Sequence, residues 1–475
     1  MQRALLLLLI ALSYLLFAGR PAWSLAPLLG LAALTALVAP RRTLSFSKIW
    51  RPLDLALVAL MVGIVAQMVP LPPRLLGVLS PHAAALQASL RPPQLGTRAG
   101  EWLSISINIG ATAGSLATVA LGVLSFWIAR GIFSAGGSSR WFCRALAVVG
   151  GVAALTAVVF RATSPGLVFG ILDPAARSAN PFGAFVNRNH FGGWLLMMAT
   201  PVCGYLIAHL RIHTAHGRTL LLSVREFIAS GAMVTAILGL GIVGVLLLTL
   251  SRSAVAGLGA AAICGWLLGR KRFSLERTSL PAILILIGVV MLAAVLFVDI
   301  NGWATRIGES FEVAEGGSNR MRIWRESLPM VGDYWLTGTG AGTFNDAMTK
   351  YQQSRIWVGS MNRWAHFNNA HSAYLQVVAE GGLLLTIPAL SALLLLFNLG
   401  RRAVRDDRGE MLWARIGAAA GLAGMAVQSI WETSLVMPAN AIVCGTLAGL
   451  LLYRRGSGRS DRSADWPGPF ANSAR

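Results

Sequence analysis

Three polar clusters interrupt an otherwise apolar sequence, and their residue types suit chemistry on a phosphate group. The first runs from Asn180 to Phe191, and the second is Ser251-Arg252-Ser253. The third lies between about residue 300 and residue 371, and it contains Arg320 and Arg322 and ends at His371. An arginine binds phosphate oxygens through two parallel hydrogen bonds, and a histidine can exchange a proton near neutral pH.

His371 is the candidate general base. We predict that it opens a helix, where the positive end of the helix dipole lowers the pKa of an imidazole and keeps it neutral, as a general base requires. Tyr374 should share its helix face. Glu380 should lie on the opposite face and pair with an arginine between helices. The alternative for His371 is a structural histidine at the membrane interface.

Arg252 is the candidate anion-binding residue of the second cluster. It stands between two serines in a very short connection between two long apolar runs. An arginine held that close to a bilayer is costly unless it meets an anion or a carboxylate. The alternative is that Arg252 extends its charge to the aqueous surface at a helix end. Arg320 and Arg322 could likewise belong to a solvated surface.

Other kinds of site are poorly supported. No pair of carboxylates and no His-x-x-x-His spacing stands in the predicted outer segments, and His213 and His216 fall in a basic loop and read as solvated residues. The run Gly338-Thr339-Gly340-Ala341-Gly342 lacks the Gly-Lys-Ser/Thr ending of a phosphate loop, and we interpret it as a turn with unusual backbone angles. We therefore expect neither a metal nor a cofactor.

The elements that position these residues are membrane helices. The chain has 475 residues, of which 55% are hydrophobic and 12% charged, and its mean hydropathy is +0.63. This balance excludes a large soluble enzyme and favours an all-α polytopic membrane protein. We predict about twelve transmembrane helices, at residues 4–19, 25–40, 53–71, 112–129, 142–160, 191–210, 228–249, 253–269, 279–298, 372–399, 412–431 and 437–453.

The net charge of +21 is first of all evidence about membrane topology, and only secondarily a sign of an anionic ligand. We expect no nucleic-acid partner. With a cytoplasmic N-terminus, the inner segments hold 25 basic residues, against 8 in the short outer ones. The positive-inside rule then predicts that both termini are cytoplasmic and that all three polar clusters lie outside.

Residues 1–19 could also be a signal peptide, but we expect them to be retained. Residues 71–110 should form broken amphipathic pieces along the outer face.

We divide the chain into four regions. Residues 1–160 are the N-terminal transmembrane helices, and 161–399 form the catalytic core, which includes the long outer loop 300–371. Residues 400–453 are the C-terminal transmembrane helices. The Arg/Ser/Asp/Gly/Pro-rich tail at 454–475 is expected to be a disordered cytoplasmic end.

The three clusters together resemble the O-antigen ligase and polysaccharide polymerase group of bacterial inner-membrane proteins. The resemblance runs from about Asn180 to Gly382, and its order and spacing are more specific than any one motif. It is strongest at four places: Phe185 to Phe191, Thr249 to Ser253, Arg320 to Trp324 followed by Gly338 to Phe344, and Ala370 to Gln376 with Glu380-Gly381.

The resemblance implies a C-type glycosyltransferase that works at the periplasmic face without a metal. Its donor would be an undecaprenyl-diphosphate glycan and its acceptor a glycan or lipid, in the synthesis of lipopolysaccharide or of an exopolysaccharide. Carried over to this chain, Arg252 and Arg320 would bind the diphosphate and His371 would act on the acceptor hydroxyl. Arg322 is the alternative to Arg320. The secondary candidates for contacts with the substrate are Asn187, Arg188 and Tyr374.

Two questions stay open. The sequence departs from the group at Trp335-Leu336-Thr337, where Pro-Leu is common, and at Ser372, where Asn is common, so ligase and polymerase are not distinguished. The alternative from another functional class is a transporter or flippase of an anionic lipid-linked solute. That alternative predicts charges at mid-span and repeated halves with broken helices, whereas here the charges gather at one face.

Overall fold

The protein folds as an assembly of α-helices. The computed structural model describes residues 1–38, 51–89, 102–135, 139–174, 180–214, 231–270, 314–354, 357–358, 363–364, 366–409 and 412–453. The predicted span at 279–298 and the tail at 454–475 lie outside the described residues.

The helices before the second polar cluster are α1 (Gln2–Leu15), α2 (Ala22–Val38), α3 (Arg51–Met68), α4 (Pro73–Leu79), α5 (Pro81–Ser89), α6 (Ile109–Ser134), α7 (Ser139–Thr163), α8 (Arg188–Thr214) and α9 (Ala232–Leu248). The later helices are α10 (Arg252–Gly269), α11 (Ala314–Asp333), α12 (Phe344–Tyr351), α13 (Ala373–Asp406), α14 (Leu412–Gln428) and α15 (Pro438–Leu452). Short 3₁₀ turns span Phe17–Gly19 and Ser434–Val436, and β1 (Trp357–Val358) pairs antiparallel with β2 (Arg363–Trp364).

The apolar runs of the sequence are helices wherever the structure describes them. Six of these helices are long and apolar enough to cross a membrane: α3, α6, α7, α8, α10 and α13. Helices α1, α2, α9 and α15 are apolar but shorter. The prediction of an all-α polytopic membrane protein is confirmed. The number of twelve spans is not, because only six of the described helices reach the length and hydropathy of a span.

Small residues let the central helices approach closely. Gly424 of α14 lies against the backbone of Gly257 in α10, and Gly417 of α14 lies against that of Thr200 in α8. Helix α15 packs on α6 in the same way, since Gly445 sits against the carbonyl of Gly122. Such glycine contacts are how helices associate in lipid, where the hydrophobic effect between them is absent. They make α8, α10 and α14 one packed unit.

Apolar side chains cover the outside of the assembly. Ile263, Trp266 and Leu267 are exposed on α10, as are Leu394 and Phe397 on α13. Bands of exposed large apolar residues of this kind are suited to contact with lipid.

One end of the assembly is fixed by buried arginines. Asp54 at the start of α3 accepts hydrogen bonds from Arg130 at the end of α6, with Arg130 Nη1 at 2.9 Å and Nη2 at 3.2 Å. At the same end, Arg415 donates to the carbonyl oxygens of Leu451 and Tyr453, which terminate α15. Arg130 and Arg415 both belong to the set of basic residues that the sequence places on the inner side.

A second, smaller core caps the opposite end. It is built from α5, α11, α12 and the start of α13, with Ala83, Met330, Phe344 and Phe367 among its buried residues. Broken amphipathic pieces are expected in residues 71–110, and the described part of this stretch holds two short helices, α4 and α5, separated by Ser80 alone. This cap belongs to the predicted outer side.

The cap is locked to the membrane helices where α13 breaks. Gly382 has a φ of 52° and a ψ of −154°, so the helix is interrupted there. The amide of Leu383 donates to the carbonyl oxygen of Trp335 at 2.8 Å, and that of Leu384 donates to Leu336 at 3.0 Å. The backbone amides just after the break therefore keep hydrogen-bond partners.

Glu380 and Gln67 complete this lock, and the expectation that Glu380 pairs with an arginine is wrong. The Glu380 carboxylate accepts from the amide of Gly342 at 2.7 Å and from that of Phe344 at 3.1 Å. Gln67 of α3 donates to the carbonyl oxygens of Thr337 and Glu380. The Glu380 carboxylate is thus the hydrogen-bond acceptor for backbone amides at the end of the glycine-rich run, a role that water would otherwise have. It does not neutralise an arginine, as the sequence had suggested.

The unusual backbone angles predicted for the glycine-rich run are confirmed. Gly340 can therefore be used to test how much the packing of this run against α3 and α13 stabilises the protein. The φ of Gly340 is 112°, and a Cβ there would overlap Ser106. We expect Gly340→Ala to lose about 1–3 kcal/mol from backbone strain alone, and more from the overlap. The measurement is thermal unfolding of the purified protein in detergent, followed by tryptophan fluorescence.

Gly332 is the matched control, because it lies in α11 of the same cap and a Cβ there would meet nothing within 4 Å. Gly332→Ala should leave the unfolding temperature unchanged or slightly raised, since alanine stabilises helices relative to glycine. Equal unfolding temperatures for the two variants would contradict the claim that the conformation of the glycine-rich run stabilises the protein.

Candidate functional site

Four residues from different parts of the chain form a polar cluster at the capped end. We call Asn189, Arg320, His371 and Glu432 the outer polar cluster. Asn189 stands in the first turn of α8, Arg320 in α11, His371 just before α13, and Glu432 just after α14. The structure therefore brings the predicted residues Arg320 and His371 together, and it adds a carboxylate.

Glu432 is the centre of this cluster. Its Oε1 accepts a hydrogen bond from Arg320 Nη2 at 2.7 Å and another from Asn189 Nδ2 at 2.8 Å. The Glu432 side chain is only 1% exposed, whereas that of Arg320 is 30% exposed. Asn189 is itself held, because Gln428 Nε2 donates to its carbonyl oxygen at 2.9 Å. The carboxylate is thus rigidly placed, and the guanidinium reaches it from the surface.

His371 is positioned by hydrogen bonds on both sides of it along the chain. Trp324, one turn after Arg320 in α11, donates from Nε1 to the carbonyl oxygen of Ala370 at 2.8 Å. On the other side, the amide of Ala373 donates to the carbonyl oxygen of Ser429 at 2.9 Å. His371 itself has a φ of 48°, a left-handed conformation that non-glycine residues rarely adopt. Such outliers concentrate at functional sites, where the surrounding structure holds them in place.

The helix starts at Ala373, two residues after the position expected if His371 opened it. Ser372 is the N-cap of α13, accepting from the amide of Leu375 at 3.4 Å, and the first helical residue is Ala373. His371 therefore stands outside the helix.

The imidazole of His371 is neutral, as predicted, but the cause is different. Burial lowers the pKa of His371 to about 4, and the nearby Arg320 guanidinium contributes to the same shift. Both effects disfavour a second positive charge at this point.

The carboxyl group of Glu432 is shifted in the opposite direction. Burial raises its pKa to about 7, although Arg320, Asn189 and Arg188 all act to lower it. The outer polar cluster therefore contains a fixed cation, a neutral imidazole and a carboxyl group that exchanges its proton near neutral pH. Perturbed groups gathered in this way are typical of catalytic and binding sites.

Arg252 lies at the same end of the assembly. It is the first residue of α10 and is exposed, and Ser251 is the N-cap, accepting from the amide of Ala254 at 3.3 Å. The preceding Leu250 has a φ of 52°, which completes the tight turn predicted between two apolar runs. Gly192 of α8 lies against this turn. Since Gly192 follows Asn189 by three residues, the turn stands beside the outer polar cluster.

The secondary candidates occupy different surroundings. Asn187 accepts from the amide of Asn189 at 2.8 Å and so shapes the entry to α8. Arg188 starts α8 and acts electrostatically on Glu432. Arg322 is exposed on α11, and Tyr374 donates to the carbonyl oxygen of Ala426 at 2.8 Å. Asn187 and Arg188 thus adjoin the cluster, whereas Tyr374 links α13 to α14.

Glu432 is the residue that sequence reasoning missed. A usable signal was present, because Glu432 is the single acidic residue between the apolar runs at 412–431 and 437–453. It is predicted on the same outer side as Arg188, Arg252, Arg320 and Arg322, which could have suggested an ion pair. Among the described residues, no group of three or more His, Cys, Asp or Glu side chains is arranged to hold a metal ion.

The pKa of His371 can be measured directly. We expect its imidazole resonances to keep the positions of a neutral ring from pH 8 to pH 5.5, with only small shifts as Glu432 titrates near pH 7. They should move to the positions of a charged ring only near pH 4, because charging the ring is opposed by burial and by Arg320. The measurement is histidine NMR of the labelled protein in detergent, with the His371 signal assigned by substitution.

Arg320→Ala should raise this pKa towards the ordinary 6.5, since it removes the neighbouring cation. Arg322→Ala, at an exposed site two residues away, should not change it. A His371 that titrates near pH 6.5 in the unmodified protein would disprove the electrostatic account.

A comparison with known protein families finds a match that includes part of the outer polar cluster. Residues 234–390 match a family model described as O-antigen ligase. The matched residues include the Ser251 turn, Arg320 and His371. No curated protein matches the chain.

Proposed function

Because the chain carries at residues 234–390 the domain of the O-antigen ligase family, we propose that it transfers a glycan from undecaprenyl diphosphate to an acceptor hydroxyl. The resemblance seen in the sequence is confirmed by this match, which supports ligase or polymerase activity in general. The lipid-diphosphate donor, the acceptor and the residue roles that follow are our proposal.

In the proposed reaction the acceptor oxygen attacks the anomeric carbon of the donor glycan. The bond between that carbon and the diphosphate oxygen breaks, and the diphosphate leaves with the bonding electrons. His371 accepts the proton of the acceptor hydroxyl. Arg320 and Arg252 bind the diphosphate and stabilise the charge that develops on it.

The observation that carries this proposal is that a neutral, half-buried histidine lies within electrostatic reach of a partly exposed arginine in the outer polar cluster. Without a donor, burial and the charge of Arg320 together keep the pKa of His371 low, and the imidazole is a weak base. A bound diphosphate would offset the charge of Arg320 and raise the pKa of His371. His371 would then become an effective base only in the presence of its donor.

The distribution of charge favours an enzyme over a transporter. Arg320 and Glu432 lie at the end of the helices, beside the cap. The buried pair of Arg130 and Asp54 lies at the opposite end. A transporter of an anionic lipid-linked solute should instead place its charges near mid-span.

The proposed location is the bacterial inner membrane, with both termini cytoplasmic and the outer polar cluster in the periplasm. The multi-pass helices place the chain in a membrane, and the orientation follows from the excess of basic residues in the inner segments. The donor diphosphate would stand at headgroup depth, beside the Ser251 turn.

Replacing His371 should stop glycan transfer without unfolding the protein. In cells that carry His371→Ala, we expect the acceptor to remain unmodified and lipid-linked donor to accumulate, because no base takes the acceptor proton. The measurement is the lipid-linked glycan profile, which also separates the two activities. Long polymer on the lipid indicates a ligase, and single repeat units indicate a polymerase.

His366→Ala is the matched control, since His366 is exposed five residues earlier and contacts the carbonyl oxygen of Asn345. That variant should give the normal profile. A normal profile in His371→Ala would remove His371 as the base.

Arg252→Lys tests whether the planar guanidinium matters. Lysine keeps the charge but loses the two-pronged hydrogen bonding to phosphate, so we expect transfer by membranes from the variant to fall at least tenfold. Arg325→Lys is the control, since Arg325 is also exposed but lies on α11, and this variant should keep full activity. Full activity in Arg252→Lys would show that Arg252 only extends its charge to the surface.

A further inference from the structure

The ion pair between Arg320 and Glu432 raises a question about the proposed reaction. The guanidinium that should bind the donor diphosphate already donates to a buried carboxylate at 2.7 Å. We propose that Glu432 is a positioning residue that holds Arg320 ready, gives it up to the donor diphosphate, and takes a proton from the aqueous phase as Arg320 leaves. This inference rests on the proposed function and adds a coupling between donor binding and proton uptake.

The geometry suits an exchange of partners. Arg320 is anchored on α11 with 30% of its side chain exposed, and it uses Nη2 for the bond to Glu432. A guanidinium has five N–H donors, so it can turn towards a diphosphate without a change of backbone. Glu432 cannot follow, because its side chain is 1% exposed and the same Oε1 accepts from Asn189. Arg320 is therefore the partner that moves.

The charges around Glu432 decide what happens next. Arg320 faces it from α11, and Arg188 and Asn189 face it from α8. His371 lies on the other side of Arg320, and the buried His190 stands within electrostatic reach of His371 and Arg20. When Arg320 turns to the diphosphate, Glu432 loses the partner that does most to offset its burial.

A carboxylate left in that position is costly unless it is protonated. The pKa of Glu432 is already about 7 with Arg320 in place. Losing the arginine raises it further, since the opposing charge is gone. Donor binding thus adds one proton to Glu432. No covalent bond changes in this step, and the protonated carboxyl group can still hydrogen-bond to Asn189.

The proposal makes a signed prediction about pH. Below pH 7, Glu432 is protonated both before and after donor binding, so it contributes no pH dependence to binding there. Above pH 7, the carboxylate must take up a proton when the donor binds. Donor affinity then falls by up to tenfold for each pH unit. A disubstituted diphosphate has no proton to exchange between pH 7 and pH 9, so it does not contribute to this slope.

The test is the KM for a synthetic undecaprenyl-diphosphate glycan, measured with the purified full-length protein in liposomes from pH 6.5 to pH 8.5. For the unmodified protein we expect KM to rise by up to about tenfold between pH 7.5 and pH 8.5, with little change in kcat. In Glu432→Gln, which keeps an oxygen for Asn189, KM should be independent of pH and lower than normal at pH 8.5.

Glu326→Gln is the control variant. Glu326 lies on the same helix as Arg320 but binds the amides of Gln353 and Ser354, so its replacement should leave the normal pH dependence of KM. An equal rise of KM in Glu432→Gln and in the unmodified protein would overturn the exchange. Absence of any glycan transfer by the unmodified protein would instead contradict the proposed function itself.

A second measurement covers the case in which Glu432→Gln does not fold. Calorimetric titration of the unmodified protein with the donor alone, in two buffers of different ionisation enthalpy at pH 8, reports the protons taken up. We expect close to one proton for each donor bound. Zero uptake would overturn the proposal and leave the Arg320–Glu432 pair as a structural contact only.

Discussion

The buried carboxylate of Glu432 is the interaction on which the candidate site depends. It joins α8 through Asn189 and α11 through Arg320, at the end of α14. Helices in lipid have little hydrophobic reason to choose one arrangement over another, so polar contacts at their ends have a large influence on register. One acidic side chain therefore sets the position of the arginine that the sequence singles out.

The break of α13 at Gly382 is the second constraint, and it places His371. A helix of 34 residues is about 51 Å long and exceeds the thickness of a bilayer. The interruption divides it into a short segment within the cap and a longer apolar one. Gln67 and Glu380 hold the interruption to the glycine-rich run. The same residues thus satisfy the broken backbone and fix the segment that begins just after the histidine.

The electrostatics of the site follow from burial combined with one fixed cation. Burial and Arg320 act together on His371 and lower its pKa, but they oppose each other on Glu432, where burial prevails. Arg320 therefore links the two groups, and any anion that competes for it changes both. This is why a histidine and a glutamate that share one neighbouring arginine can respond to a diphosphate together.

Much of this protein is determined by its sequence alone. Hydropathy and the length of apolar runs specify an all-α membrane protein, because a span must satisfy its own backbone. The short Ser251-Arg252-Ser253 connection also follows from local pattern, and the distribution of charge predicts that Arg320 and His371 lie on the outer side. Only the tertiary structure decides that Arg320 meets Glu432, 112 residues away, and that Glu380 binds backbone amides rather than an arginine. The neutral state of His371 was predicted from a helix dipole, yet it arises from burial beside Arg320. Burial and pairing depend on which helices pack together, and no local pattern in the sequence encodes that choice.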